Sequence, residues 1–531
     1  MAGELARRAE QLRTAEVIAA LSLATDLGMG FPLEHGLHST IVAIRLARQL
    51  GVDVAVEGQA YYGCLLGYVG CTADAEVAAG LFGEGVLLKH FTPVMFGSPV
   101  QTLTGIVRAL GGADGGSVVR AYRGITRLPR AARGHRQHVV ALCEVAEMLT
   151  QRLGVPADVT GVVSRVTERW DGKGEPAHLR SEEIPLATRI VQVARDATFH
   201  HMLGGPHHAA GVIRERAGRA FDPAVAAALV DAGPDLLSVD ATDSLWDQTL
   251  AIEPGNSLCL DADAIDRALA AMGDFADLLS PYLAGHSSGV AELATAAARR
   301  GFPDDVVLAV RRAAYLHDIG RVAIAAHVWQ KTTPLTLDER ERIRLHPYYT
   351  ERVLGRSPFL AALAPIATVH HERLDGSGYH RGAAAAVLAP PARLLAAADA
   401  YQSMTSPRPH RPALPPRDAA SALRAEAGAG RLDARSVSDV LAAVGQVAGP
   451  VPRPAGLTDR EAQVIGLVAH GLPTKRIAHV LGISAKTADR HIQNAYGKIG
   501  ISSRAAAALF AMEHGLATWG ELPIVREDRR S

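Results

Sequence analysis

HHERLDGSGYH occupies residues 370–380 and is followed by APPARLLAAADAY at 389–401. A near-copy stands earlier in the chain: VTERWDGKGEP at 166–176, followed by IPLATRIVQVARD at 184–196. The two align without a gap. His346 precedes His370 by the interval at which Leu142 precedes Val166, and Asp399 follows His370 as Arg195 follows Val166. Further on, GRAFDPAV at 218–225 echoes GRLDARSV at 430–437, and upstream HST at 38–40 echoes HSS at 286–288. A register shared over so long a stretch predicts a tandem duplication, with an insertion near residues 80–130 of the first copy.

Length and composition fit that reading. A chain of 531 residues exceeds what one hydrophobic core usually serves, so several domains are expected. With 55 basic and 55 acidic residues no global field draws the molecule to nucleic acid, and any such attraction must be local. The four cysteines form no C-x2-C pair, so neither a disulfide framework nor a cysteine zinc site is indicated, and a reducing cytoplasm fits. The N-terminus carries acidic residues in its first turns and no apolar run of membrane-spanning length, so no membrane partner is expected. Alanine-rich stretches such as AELATAAARR and DVVLAVRRAAYL place apolar residues at helical spacing, predicting an all-α fold. AGPVPRPAG at 448–456 breaks the helical pattern and reads as a linker. The expected organisation is a helical domain over 1–235, a connector at 236–257, its second copy over 258–447, a linker at 448–455, a small helical domain at 456–520 and a tail at 521–531.

The second copy gathers imidazoles and carboxylates from five places: His286, His317-Asp318, His346, His370-His371 and Asp399. Any one of 22 histidines could stand beside an aspartate by chance, but an ordered set could not. Nitrogen and carboxylate donors without thiolate suit iron, manganese, zinc or nickel, and their number suits two ions. A helical bundle projects such residues inward from facing helices. In AAYLHDIGR an apolar run is expected to end as a helix near Gly320, leaving His317 and Asp318 at a cavity rim.

HDIGR, LHPYYTERVL, HHERLDGSGYH and ARLLAAADAY, in this order, resemble the HD-GYP branch of the HD-domain phosphohydrolases over roughly residues 275–445. The resemblance implies that His286, His317, Asp318 and Asp399 hold one divalent metal and His346, His370 and His371 the other, with Asp318 bridging. It implies iron or manganese at the site and phosphodiesterase activity on a cyclic dinucleotide such as cyclic di-GMP. Two such ions can orient a hydroxide and stabilise an in-line displacement at phosphorus. Asp318 and Arg321 are the catalytic candidates. Arg321 stands where the family usually has lysine, and its planar fork could clamp a phosphate oxygen. Asp375, Gly376, Gly378 and Tyr379 are the further substrate-binding candidates. Tyr282 sits where some members carry a glutamate for a third metal, which favours two metals here. His380 replaces the proline of the GYP triplet.

The first copy lacks at least six of the seven ligands. Gly67-Tyr68 replaces His317-Asp318, and Leu142, Val166, Thr167 and Arg195 replace His346, His370, His371 and Asp399, while the WDGKG loop at 170–174 remains. It is expected to pack on, regulate or dimerise the active copy.

Residues 456–517 resemble the LuxR-type helix-turn-helix output domain along their full length. Thr458 with Glu461 forms a capping box, Gly471 ends the first helix, Gly482-Ile483 makes the turn, and Ser484 caps the recognition helix. Lys475, Lys486, Thr487, Arg490, His491, Asn494 and Lys498 are the candidate contacts to double-stranded DNA, whereas Ile492, Tyr496 and Ile499 fall at core spacing. Seven basic residues against four acidic ones give this segment its local positive charge. The last helix, SSRAAAALFAMEHG, is apolar enough to make a homodimer, and two-fold DNA sites would follow. The expected function is a DNA-binding regulator with a dinuclear phosphodiesterase domain. The alternatives are a regulator that senses a nucleotide without turnover, and a phosphohydrolase for another nucleotide.

Overall fold

The computed structural model describes residues 12–72, 96–111, 117–240, 242–447 and 454–517. Residues 1–11, most of the linker and the tail therefore lie outside the described residues, as does part of the insertion in the first copy. Among the described residues the chain is helical, with isolated β-bridges and no strand.

The first copy comprises α1 (Thr14–Met29), α2 (His35–Gln49), α3 (Val54–Leu65), α4 (Pro99–Gly111), α5 (Ser117–Arg152), α6 (Ala157–Val163), α7 (Leu186–Arg216) and α8 (Pro223–Ala232). The second comprises α9 (Ala262–Asp277), α10 (His286–Ala298), α11 (Asp304–Leu316), α12 (His346–Leu354), α13 (Pro358–Ala367), α14 (Pro390–Thr405), α15 (Pro416–Gly428) and α16 (Ala434–Val447), with short helices between. In the first copy α7 runs through the positions of both α14 and α15, with non-helical backbone at Gly205 before Pro206.

Hydrogen bonds carry the duplication further than sequence identity does. Buried Glu372 accepts from the backbone N–H groups of Arg381 and Ala383, and buried Glu168 accepts from those of Ala177 and Leu179 at the same spacing. Asp277 accepts from Ser287 N at 2.8 Å, and Asp26 from Gly36 N at 3.0 Å, fixing the starts of α10 and α2. These bonds correct the echo between HST and HSS. His35 heads α2 as His286 heads α10, so the true counterpart lies one helical turn before His38. The short motif misled because both histidines fall on the same helix face.

The two copies share one apolar cluster, beside a further cluster within each. α1 of the first copy packs on the turn Ile319–Ala323 of the second, and Phe275, Met272, Leu21, Ile18 and Val353 belong to one apolar cluster. Polar ties rim this contact: Ser357 donates to Glu16 at 2.6 Å, and Arg356 pairs with Glu34.

The C-terminal domain is four helices, α17 (Asp459–Ala469), α18 (Thr474–Val480), α19 (Ala485–Ile499) and α20 (Arg504–Glu513). Its capping box forms as expected: Thr458 Oγ1 accepts from Glu461 N at 3.3 Å and Glu461 accepts from Thr458 N at 2.8 Å. Ser484 caps α19 by accepting from Thr487 N at 3.0 Å. α20, expected to face a second copy, packs instead on α5 and α9 of the same chain.

Candidate metal centre and DNA-contacting helix

His286 stands at the start of α10, His317 at the end of α11, His346 at the start of α12 and Asp399 on the inner side of α14. The helix before the HD pair ends at Leu316 with His317 as its C-cap, earlier than Gly320 suggested, and Asp318 caps the start of a 3-10 turn. Gly320 serves another purpose: a Cβ there would stand 2.2 Å from the carbonyl oxygen of His346. Only glycine lets the turn lie against α12. Thr350 clips the two together, donating to His317 O at 3.0 Å and accepting from Gly320 N at 3.1 Å.

All seven expected ligands converge. Asp318, His346, His370 and His371 form one group, and His286, His317, Asp318 and Asp399 another, the donor atoms of each lying within 4.8 Å of one another. Asp318 belongs to both. Its Oδ1 lies 3.1 Å from His346 Nε2 and 3.4 Å from His370 Nε2, while its Oδ2 lies 2.8 Å from His317 Nε2 and 3.4 Å from His286 Nε2. Asp399 Oδ1 is 3.1 Å from His286 Nε2.

The far side of three rings fixes their tautomer. His317, His346 and His370 each donate Nδ1–H to the carbonyl three residues earlier, Ala314, Ile343 and Ala367, at 2.6, 2.6 and 2.7 Å. A carbonyl can only accept, so each neutral ring turns an unprotonated Nε2 inward, as metal-bound histidines do. Lone pairs of nitrogen and carboxylate then face one another in a buried space, and His286 Nε2, His317 Nε2 and Asp318 Oδ1 find no hydrogen-bond partner. Such an arrangement calls for positive charge between the atoms. The donor set fits divalent ions of the iron, manganese or zinc kind.

The electrostatics agree. Burial alone would raise Asp318, but Arg321 and His317 outweigh it and hold the carboxyl well below the usual range. Asp399 is likewise held low against burial by His286 and His317. Burial lowers His286, and it lowers His346 to about 4. It also lowers His371, with the charges of His370 and His346 adding. His317 alone rises, to about 10, because Asp318 and Asp399 outweigh burial.

The sequence-predicted substrate residues divide. Arg321 is buried, not a surface arginine: Nη2 pairs with Asp318 Oδ2 at 2.5 Å, its guanidinium lies 5.3 Å from the Trp329 ring centre, and Nε and Nη1 are left unpartnered. Tyr379 stacks on His371 with ring centres 4.6 Å apart. Gly376 has φ 78°, and a Cβ on Gly378 would meet the Glu372 backbone at 2.5 Å, so both glycines are needed to fold the loop. Asp375 does not join the centre. It is exposed and spends its carboxylate on Ser377 N at 3.0 Å and Ser377 Oγ at 2.6 Å, closing an Asx turn. His380 is half-buried beside Tyr348, its pKa lowered by burial and by Arg381.

Two contributors escaped the sequence reading. Arg408 donates to Ser403 Oγ at 3.0 Å and Tyr282 O at 3.1 Å, and Ser403 donates to Asp399 at 3.3 Å. Burial and the nearby charge of Arg321 depress Arg408 to about 10. An arginine between two prolines, nine residues after the last ligand, was its only sequence signal. Asp277, raised to about 8 by burial, positions His286 through the backbone of Ser287.

In the first copy Arg195 fills the equivalent space. Its guanidinium lies 4.3 Å from the Tyr68 ring centre, and Nη1 donates to Cys64 O. A fixed organic cation thus stands where the second copy presents carboxylate.

On the C-terminal domain, Lys475, Lys486, Arg490 and Asn494 are exposed, and Thr487 and His491 are half-buried. Ile492 and Tyr496 are buried, as their spacing required. Lys498 is engaged within the domain, its ammonium 2.6 Å from Glu461 and 3.1 Å from Gly456 O, and so braces the start of α17.

Comparison with known proteins gives the same two parts. A model of the HD domain matches residues 125–225 and 271–436, and the model of bacterial regulatory proteins of the luxR family matches 455–511. The chain is 28% identical over 406 residues to a 3'3'-cGAMP-specific phosphodiesterase of Vibrio cholerae, covering 75% of this chain and 88% of that one. It is 37% identical over 115 residues to a cyclic di-GMP phosphodiesterase response regulator of Xanthomonas campestris, covering 21% and 30%. A solved cyclic GMP-AMP specific phosphodiesterase of V. cholerae shares the fold, with a TM-score of 0.55 and 23% identity, over 82% of this chain and 98% of that one. The chain belongs to the HD domain family, with the histidine and aspartate clusters, among the described residues, in its second copy and a luxR-family regulatory domain at its C-terminus.

Proposed function

We propose that the chain is a DNA-binding transcriptional regulator whose second bundle hydrolyses a cyclic dinucleotide with two divalent metal ions, and that it works in the cytoplasm. The observation that carries this is Asp318, whose two oxygens face two separate histidine groups. His286, His317, Asp318 and Asp399 would hold one ion, and Asp318, His346, His370 and His371 the other, with manganese or iron the expected metals.

Two divalent ions at such a site neutralise a phosphodiester and make water acidic enough to attack near neutral pH. The chain's own residues do the rest. Arg321, with Nη2 on Asp318, keeps Nε and Nη1 free to donate to a non-bridging phosphate oxygen beside the centre. Tyr379, stacked on His371, offers a ring edge at the mouth, and Gly376 and Gly378 bring loop backbone close. Arg408 adds a second positive charge on the Asp399 side. Lys475, Lys486, Thr487, Arg490, His491 and Asn494 are proposed to contact DNA, with Lys498 acting as a brace.

The test is turnover. Protein reconstituted with Mn2+ should open cyclic di-GMP or 3'3'-cGAMP to a linear dinucleotide, and the double variant His317→Ala, Asp318→Ala should not. Equal, negligible turnover in both would sink the enzymatic reading. A panel of other nucleotides in the same assay exposes a different substrate.

A further inference from the structure

The helix expected to pair two chains is already covered. In α20 and its following turn, Ala507, Leu509, Ala511, Met512 and Leu516 are buried, and they share a core cluster with Val145, Leu149 and Leu153 of the α5 segment and with Met272 and Phe275 of α9. Polar contacts fix the seam. Arg152 Nη2 pairs with Asp274 on α9 at 2.8 Å and its Nε lies 4.0 Å from Glu513 on α20, while Ser502 N donates to Glu144 at 2.9 Å. The exposed face of α19 is left in the open, so docking does not block DNA by covering the recognition helix.

The same seam touches the metal centre. Gly285, in the left-handed region at φ 73°, is the residue before His286. A Cβ on it would stand 2.9 Å from the carbonyl oxygen of Ala517, just beyond α20. Ser287, on the other side of His286, is held by Asp277 at the end of α9, and α9 is the helix on which α20 lies. A shift of His286 therefore has two routes to α20: backbone contact at Gly285 and displacement of α9. Close-packed contacts of this kind transmit small displacements, since neither side can yield without opening a void.

We propose that docking of α20 between the two bundles is an autoinhibitory contact. It keeps α20 from pairing with a second copy of the chain, and it is coupled to the metal centre through His286. The coupling rests on the metal centre proposed above. Reciprocity follows: whatever loosens α20 must change metal affinity by the factor that metal changes α20.

The test uses full-length protein stripped of metal, with Mn2+ as the probe. Three readouts are taken together: hydrogen exchange of residues 504–517, mass by sedimentation, and Mn2+ binding by titration. Arg152→Ala cuts the tie between Asp274 and Glu513 without touching a proposed ligand. Ser502→Asp, which opposes Glu144, is the second variant should the first not fold. Wild type is expected to be monomeric with slow exchange at 504–517. The variants should exchange faster there, dimerise at concentrations where wild type does not, and change the Kd for Mn2+ by at least about 5-fold. Faster exchange without dimerisation overturns α20 as the withheld face. Faster exchange and dimerisation with unchanged Mn2+ affinity overturns the coupling. Absence of Mn2+ binding in wild type overturns the metal centre itself, and the coupling with it.

Discussion

Asp318 shows how one buried residue sets a site. Lone pairs converge on it from four imidazoles, and Arg321 leans on the same carboxylate. Its backbone depends on Thr350, whose hydroxyl both donates to His317 O and accepts from Gly320 N. Replacing Thr350 by the isosteric valine removes both bonds and strands a buried N–H, which costs about 1–3 kcal/mol. Thr350→Val should therefore lower the melting temperature and the affinity for Mn2+ together, and unchanged metal binding would count against the clip. His38 offers a pH test away from the metal ligands. Burial lowers its folded pKa to about 4, while Nε2 bonds to Leu237 O at 2.7 Å. The unfolded chain binds this proton near pH 6.5 and the folded chain only near 4, so stability is present above 6.5 and falls as pH drops toward 4. The loss is at most roughly 3 kcal/mol at about 1.4 kcal/mol per unit. In His38→Gln the denaturant midpoint should fall less between pH 6.5 and 4 than in wild type.

Loops and helices carry most of what the duplicated sequence preserves. Glu372 and Glu168 hold their loops in the same way, and Gly378 and Gly174 each leave no room for a Cβ. The loop is thus a fold element first, kept in a copy that lacks at least six of the seven ligands. That explains why Asp375, conspicuous in the motif, turns out to serve the turn. On α19 the expected outer face is exposed, with Arg490 at its middle. Arg490→Ala should weaken binding to a mixed-sequence duplex and reduce the slope of log affinity against log salt by about 1, as loss of one phosphate contact does. Lys498→Ala, its charge already spent on Glu461, should leave that slope unchanged and lower stability instead.

For the whole molecule the decisive feature is a single apolar cluster that draws residues from both copies and from the C-terminal domain. Phe275 is among its largest fully buried side chains, on the helix that touches all three parts. Phe275→Ala should cost about 3–5 kcal/mol. Because the cluster is shared, calorimetry should show one transition moving as a unit. Separate transitions, with only one shifted, would contradict a common core.

The sequence by itself determined the helical class, the duplication, the set of histidines and aspartates that the fold gathers and the capped helix-turn-helix. Each of these is written in local spacing: apolar residues at helical intervals, a capping box, an ordered series of histidines and aspartates. It could not tell which of His35 and His38 heads α2, since one helical turn separates two equivalent-looking histidines and only the bond from Gly36 to Asp26 chooses between them. Nor could it show that Arg408 closes the centre, that Lys498 is a brace, or that α20 lies between the bundles. Those outcomes depend on contacts between residues hundreds of positions apart. Such contacts leave no period in the chain, because they are set by which apolar faces remain uncovered once every helix has formed.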